Sequence, residues 1–294
     1  MARFRIGRLV VIGVGLIGGS FALALKQAGA VKHVVGVGRT RKNLNVALKR
    51  GVIDEATQDA ASAVQGADLV LIGTPVGQMP AVMRAIAPHL APHTIVTDGG
   101  STKQDVIACA RKHLRAHFSN FVPAHPMAGT EMSGAAAAFP ELYRGRKLIL
   151  VPQRETSARA IRVVREAWRV CGAEVVRLKP REHDEILAAV SHLPHIVAYA
   201  LMGMLARRSN ARRMLAFSAG GLRDTVRIAG SSPEMWRDIC LANREALLKF
   251  MDAYDIELKR ARAALLAGDG AALERIFVHA RDARERWLVK PARR

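Results

Sequence analysis

Gly13-Val14-Gly15-Leu16-Ile17-Gly18-Gly19-Ser20 decides the fold. The stretch directly follows the β-rich run at residues 8–13 (RLVVIG) and opens an Ala- and Leu-rich helical segment. G-x-G-x-x-G between a strand and a helix is the phosphate-binding turn of a βαβ dinucleotide site. Gly13 permits the tight turn, Gly15 lets backbone approach a pyrophosphate, and Gly18 lets the helix pack closely on the strand. Leu16 and Ile17 then stand at the helix N-terminus, where free N–H groups and the positive dipole end face the phosphates. The same region mimics a secretory signal, because Arg3, Arg5 and Arg8 precede an uncharged run at residues 9–25 that contains Ala22-Leu23-Ala24. The four glycines at this spacing favour the phosphate turn instead.

Outward from that turn, short apolar runs alternate with helical stretches. Residues 8–13, 33–37, 69–73, 94–98 and 120–124 read as buried strands, with helical segments such as 20–28 and 78–87 between them. Such alternation predicts βαβ units and a parallel sheet. Residues 147–151 and 174–178 flank a helical stretch at 157–171 and are expected to extend the same sheet. After Lys179-Pro180 the pattern is helical only, over 186–205, 214–225, 233–266 and 271–287. The expected fold is α/β: a Rossmann-type doubly wound parallel sheet over residues 1–180, followed by an all-helical domain over 181–294. No internal repeat stands out.

Composition narrows the function classes. The 294 residues carry a net charge of +20, which suits nucleic acid, an anionic membrane or acidic small molecules. The basic residues are spread along the chain, with no basic tail and no aromatic-interleaved block, so neither nucleic acid nor membrane is expected as a partner. Beyond residues 9–25, no segment is expected to reach transmembrane length without charges. Cys109, Cys171 and Cys240 are far apart and odd in number. They fit no metal spacing and no disulfide framework, as in a reducing cytoplasm.

Cofactor choice turns on the end of the second strand. NAD-preferring sites carry a carboxylate there for the ribose. Here Gly38-Arg39-Thr40-Arg41 follows the strand, and arginine pairs with a 2′-phosphate that a carboxylate would repel. The sequence therefore favours NADP, with NAD possible if both arginines are plain surface charges. Three further loops follow strand ends, where ligands bind in open α/β sheets: Thr74-Pro75-Val76, residues 98–103 (DGGSTK) and residues 125–131 (HPMAGTE).

His125 is the acid–base candidate, because hydride removal from an alcohol carbon needs an acceptor for the hydroxyl proton; its plain alternative is a structural hydrogen bond. Ser101 can bond the same hydroxyl or the nicotinamide amide. His192 and His195, in Ser191-His192-Leu193-Pro194-His195, lie three apart on one helical face. No carboxylate or cysteine joins them at ligand spacing, so no metal is expected. Arg227 can hold a carboxylate through a forked pair, or stand as a solvated helix-end charge.

Together these stretches resemble the prephenate/arogenate dehydrogenase family. The matching segments are residues 13–20 (GVGLIGGS), 98–103 (DGGSTK), 125–131 (HPMAGTE), 191–195 (SHLPH) and 223–236 (RDTVRIAGSSPEMW), in the family's order over most of the chain. The resemblance implies a Rossmann domain with a helical domain that forms an intertwined homodimer. It implies oxidative decarboxylation of a cyclohexadienol in tyrosine biosynthesis, with hydride passing to the nicotinamide and CO₂ lost as the ring becomes aromatic. It further implies His125 as the catalytic histidine assisted by Ser101. Arg227, His195, His192, Glu131, Trp236 and the backbone at Gly220 are implied around the substrate. The arginines after the second strand depart from the NAD-preferring pattern. Neither a chorismate-mutase extension nor an appended regulatory domain is expected. Prephenate and arogenate are not separated by these residues.

Two other readings share the fold. A β-hydroxyacid dehydrogenase or imine reductase would place a catalytic lysine in the helical domain, but Lys179 precedes it and Lys249 and Lys259 lack a supporting motif. A non-catalytic dinucleotide-binding protein would have no use for His125, Ser101 and Arg227 together.

Overall fold

Strand and helix alternate from the start of the chain: β1 (Ile6–Ile12), α1 (Leu16–Gln27), β2 (Val31–Val37), α2 (Arg41–Lys49), β3 (Glu55–Thr57), α3 (Ala60–Ala63), β4 (Leu69–Ile72), α4 (Met79–Ile86), β5 (Ile95–Asp98), α5 (Gln104–Leu114) and β6 (Phe121–Val122). The computed structural model describes residues 4–130 and 132–289. The six strands form one sheet in the order β3-β2-β1-β4-β5-β6, all pairs parallel. β4 and β5 are buried at every position, as expected of central strands covered on both faces. β1 divides its side chains by the strand period of two: Leu9 and Val11 enter one core, Val10 and Ile12 the other. The order reverses between β1 and β4, which opens the ligand crevice beyond their carboxyl ends.

The expected strand at residues 120–124 splits. β6 pairs with β5 and ends at Val122; after Pro123, the Ala124 N–H donates to Asp98 Oδ1 at 3.0 Å instead of a strand neighbour. The chain turns there into β7 (Ala124–Pro126), which pairs antiparallel with β8 (Lys147–Leu150). α6 (Ala158–Val170) then leads to β9 (Glu174–Arg177), parallel to β8. The two late strands thus form a separate three-stranded sheet, β7-β8-β9, and do not extend the first one. The bend at Pro123 carries His125 out of the first sheet.

The helical region runs through α7 (Pro180–Leu187), a π turn at Ala188–His192, α8 (Leu193–Ala206), α9 (Ala211–Ala216), α10 (Gly220–Val226) and α11 (Pro233–Ala242). α12 (Arg244–Ala267) and α13 (Gly270–Leu288) follow. Two of the expected long helices are broken. Residues 214–225 divide between α9 and α10. Residues 233–266 divide at Asn243, which leaves helical geometry (φ −109°, ψ 29°). The chain forms two compact units, residues 1–244 and 245–294. Against expectation, residues 186–206 carry no Asp, Glu, Lys or Arg. The helical run Pro180–Ala206 is long and apolar enough to cross a membrane by length and composition alone; it contains Pro194 and both histidines of SHLPH.

Tyr143 fastens the smaller sheet region to the phosphate turn. Its ring is fully buried, edge-on to Trp168 at 4.9 Å, and its hydroxyl donates to the Ile17 carbonyl at 2.6 Å. Tyr143→Phe is expected to lower stability by about 1 kcal/mol, the usual net value of one hydrogen bond. An unchanged urea midpoint would remove the bond from that role.

Candidate active site

The phosphate turn has the geometry its glycines predict. Gly13 sits at φ +97°, and a Cβ there would lie 2.7 Å from the Gly73 carbonyl carbon. A Cβ on Gly18 would lie 2.6 Å from Val11 Cγ1. Gly15 differs: a Cβ there would meet nothing within 4 Å, so the backbone faces open space. Gly15 is also the N-cap of α1 and has no side chain to cap it, leaving the first-turn amides of Leu16 and Ile17 uncapped. Beyond β4, the buried Thr74 Oγ1 has no hydrogen-bond partner among the described residues. Pro75 opens a short 3-10 turn. An open backbone cradle at an uncapped helix N-terminus fits a dinucleotide pyrophosphate.

At the end of β2, Thr40 caps α2 by accepting the Asn43 N–H. Arg39 is exposed and lies 3.4 Å from Glu234 Oε1, which also accepts from Gln78 Nε2 at 3.1 Å. Arg41 is exposed and donates through Nε to Gln58 Oε1 at 3.1 Å. No carboxylate belongs to this segment itself.

Asp98 organises the next loops. Its Oδ2 accepts from Lys103 Nζ at 2.6 Å and from the Gly100 N–H at 2.8 Å, and both ion-pair side chains are fully buried. Its Oδ1 holds Ala124, the residue before His125. Lys103 and Gln104 in turn donate their backbone N–H groups to Asp184 Oδ1 and Oδ2, at 2.8 and 2.9 Å. Asp184 Oδ1 also lies 2.7 Å from His183 Nδ1, and His183 Nε2 lies 2.8 Å from His125 Nδ1. A carboxylate and two imidazoles therefore run in series, all buried.

Burial pushes His125 well below the usual histidine value, and the charges of His183, Lys103 and His192 add to the effect. Burial also lowers His183, although Asp184 opposes it. Asp184 itself is lowered: burial alone would raise it, but the bonds from His183 and the two backbone amides prevail.

A second group stands on the helical region. His192 is fully buried, and its Nδ1 lies 3.1 Å from Asn243 Nδ2, which also donates to the Asp184 backbone carbonyl at 2.7 Å. Burial lowers His192 to about 4. His195 bonds the Ser191 carbonyl through Nδ1 at 2.9 Å and stacks on Trp236, with centroids 3.5 Å apart. Burial lowers His195, and the charge of Arg227 adds to this against the Ser191 bond. His192 Nε2 and Trp236 Nε1 are buried without partners among the described residues. Two orphan ring nitrogens, with Arg227 near enough to act on the adjoining His195, suit a ligand rich in oxygen.

The structure thus brings together His125, His192, His195 and Trp236, with Arg227 close enough to act on His195. Ser101 is half-buried on the loop after β5 and makes no hydrogen bond to His125 among the described residues. Gly220 opens α10 at the surface with nothing within 4 Å of where a side chain would stand. Glu131 lies outside the described residues. Sequence reasoning missed His183, Asp184 and Asn243. The first two look like ordinary polar residues of a first helical turn (PREHDE), and Asn243 is hidden inside a continuous helical pattern. No group of three or more His, Cys, Asp or Glu suited to a metal occurs among the described residues.

Comparison with known proteins bears on both regions. A family model described as prephenate dehydrogenase, nucleotide-binding domain, matches residues 21–177. A second, described as prephenate dehydrogenase, dimerization domain, matches residues 179–279. A cyclohexadienyl dehydrogenase of Zymomonas mobilis is 37% identical over 94% of this chain and 94% of its own length. A prephenate dehydrogenase of Bacillus subtilis is 37% identical over 94% of this chain and 75% of its own. The solved structure of A. aeolicus prephenate dehydrogenase with hydroxyphenyl propionate and NAD+ superposes with a TM-score of 0.88 at 30% identity, covering 97% of this chain and 99% of that one.

The four site histidines share one pH consequence. Each is held below 6.5 in the folded protein, with burial as the largest cause. Below about pH 6.5 the unfolded chain binds protons at these positions that the folded chain refuses. Their contribution to stability is therefore whole above that value and lost as pH falls. The thermal midpoint is expected to drop steadily from pH 7 to pH 5. A midpoint that is flat or rises over that interval would contradict the buried neutral rings.

Proposed function

This chain belongs to the prephenate dehydrogenase family, and from that premise we propose that it catalyses the oxidative decarboxylation of prephenate, arogenate or both, in tyrosine biosynthesis. The observation that carries the reading is His125: a buried neutral imidazole two residues past the bend that follows β6, on the same rim as the phosphate turn. A bound nicotinamide dinucleotide supplies the hydride acceptor. Gly13, Gly15, Leu16, Ile17 and Gly18 would hold its pyrophosphate, with Thr74 and Pro75 beside it.

The remaining work falls to residues of this chain. His125 takes the proton of the substrate hydroxyl, and its depressed basicity keeps it unprotonated and ready at neutral pH. Ser101 orients the hydroxyl or the nicotinamide amide from the neighbouring loop. Arg227 grips a substrate carboxylate by a charge-assisted pair. His195, His192 and Trp236 meet the rest of the substrate, and the orphan nitrogens of the last two support that placement. Glu131, which lies outside the described residues, and the Gly220 backbone are proposed as further substrate contacts on the strength of the family resemblance alone.

NADP is proposed ahead of NAD. Arg39 and Arg41 stand where a carboxylate would select NAD, and Thr40 caps the helix between them. The Arg39–Glu234 pair is exposed on both sides, so it is worth at most about 1 kcal/mol and yields readily to a phosphate. The active form is proposed to be a homodimer through the helical region, since the apolar helix α8 buries only Ala198 within one chain. The three unpaired cysteines fit the cytoplasm.

Three kinetic results test this. His125→Asn is expected to fold and bind dinucleotide but lose ~10²–10⁴-fold in kcat, the usual range for a general base; near-full turnover would remove His125 from its role. Arg227→Ala should raise KM for prephenate or arogenate, and an unchanged KM would sink the carboxylate grip. The ratio of kcat/KM for NADP and NAD should exceed one, whereas a clear preference for NAD would show Arg39 and Arg41 to be plain surface charges.

A further inference from the structure

We propose that Asp184 gives two site histidines opposite proton positions: its carboxylate, acting through His183, leaves His125 with a bare Nε2, and its backbone carbonyl, acting through Asn243, leaves His192 with a protonated Nε2. The catalytic meaning of this rests on the function proposed above; the proton positions themselves do not.

The first arm follows from donor and acceptor counting. Asp184 accepts from two backbone N–H groups and is held below the ordinary carboxyl value, so at neutral pH it is a carboxylate that can only accept. The third partner, His183 Nδ1 at 2.7 Å, must therefore donate. A neutral His183 has its proton on Nδ1 and accepts at Nε2. His125 Nδ1, 2.8 Å away, is then the donor, and the lone pair of His125 is left on Nε2. That nitrogen is the one able to take a hydroxyl proton.

The second arm starts from the same residue. The Asp184 carbonyl can only accept, so the atom of Asn243 that faces it at 2.7 Å is the amide nitrogen. The other hydrogen of that amide points to His192 Nδ1 at 3.1 Å, which must accept. The His192 proton then sits on Nε2, the buried nitrogen that finds no partner among the described residues. His192 therefore offers a hydrogen-bond donor to a substrate oxygen, beside a His125 that offers an acceptor.

Among the described residues, the Asp105 carboxyl, which burial raises, also interacts with Asp184. Lys103 neutralises Asp98 on the β5 side, and His195 stands beside His192 on the next helical turn. Depressed proton affinity of His125, His183 and His192 keeps all three neutral at pH 7. His183, Asp184 and Asn243 are positioning residues, since they act only through the two histidines.

Nitrogen-15 spectra of histidine-labelled full-length protein, without substrate, read these positions directly. Signals are assigned by their loss in His125→Gln and His192→Gln. At pH 7, His125 is expected to carry its proton on Nδ1 and His192 on Nε2. A proton on His125 Nε2, one on His192 Nδ1, or a doubly protonated ring would overturn the proposal.

Kinetics give an independent arm. His183→Phe removes the acceptor for His125 Nδ1–H; kcat should fall roughly 10- to 100-fold, a part of the general-base contribution, with dinucleotide affinity unchanged and the acid limb of the pH–rate profile moved. His183→Gln, whose amide can both donate to Asp184 and accept from His125, should restore part of it. Asn243→Leu should instead raise KM for substrate. A His183→Phe protein with wild-type kcat and pH profile defeats the first arm, as does one that loses dinucleotide binding in step with kcat. If the wild-type protein turned over neither prephenate nor arogenate, the proposed function would fail while the spectra still tested the proton positions.

Discussion

The loops that carry Ser101 and His125 are joined by the buried carboxylate of Asp98. It is the last residue of β5 and neutralises Lys103. It also holds the loop around Ser101 through Gly100, and it fixes the start of β7 through Ala124. A buried ion pair of this kind is costly to break, because removing one partner strands the other charge at about 3–5 kcal/mol. Here the pair is satisfied by further backbone donors, so it serves as a rigid joint. Two loops that the sequence keeps more than twenty residues apart are thereby locked into one rim.

The helical region meets that joint with irregular backbone at the places where regular helix would fail. The π turn at Ala188–His192 ends on His192, and such turns re-aim side chains at functional positions. Asn243 leaves helical geometry between α11 and α12 and uses its amide inward, on Asp184 and His192. At Asn243 helix regularity gives way to hydrogen bonds made by a buried amide, and leaving such a buried group unpaired would cost about 1–3 kcal/mol.

Much of the first sheet was legible in the sequence. The glycine turn, the alternating runs and the crevice loops carry local signals, because phosphate turns and buried strands need particular residues at fixed spacing. The helical character after Pro180 was equally plain. The second sheet was not legible. Nothing in residues 120–126 states that Asp98 claims the Ala124 N–H and bends the chain. His125, His192, His195 and Arg227 stood out as candidates in unusual stretches, and Trp236 entered only through the family resemblance. Asp184, His183 and Asn243 did not, because their importance lies in partners 51 to 81 positions away. Periodicity reports the face a residue occupies; it is silent on what waits there.

Asp184 stands on α7, in the part of the chain matched by the helical family model, while His125 stands in the part matched by the nucleotide-binding one. The boundary between them is thus a poor place for recombination. A hybrid taking its sheet from this chain and its helices from a homologue without His183 and Asp184 would keep the His125 ring and lose the hydrogen-bonded series behind it. Modules that look separable along the chain have to be inherited as a matched set.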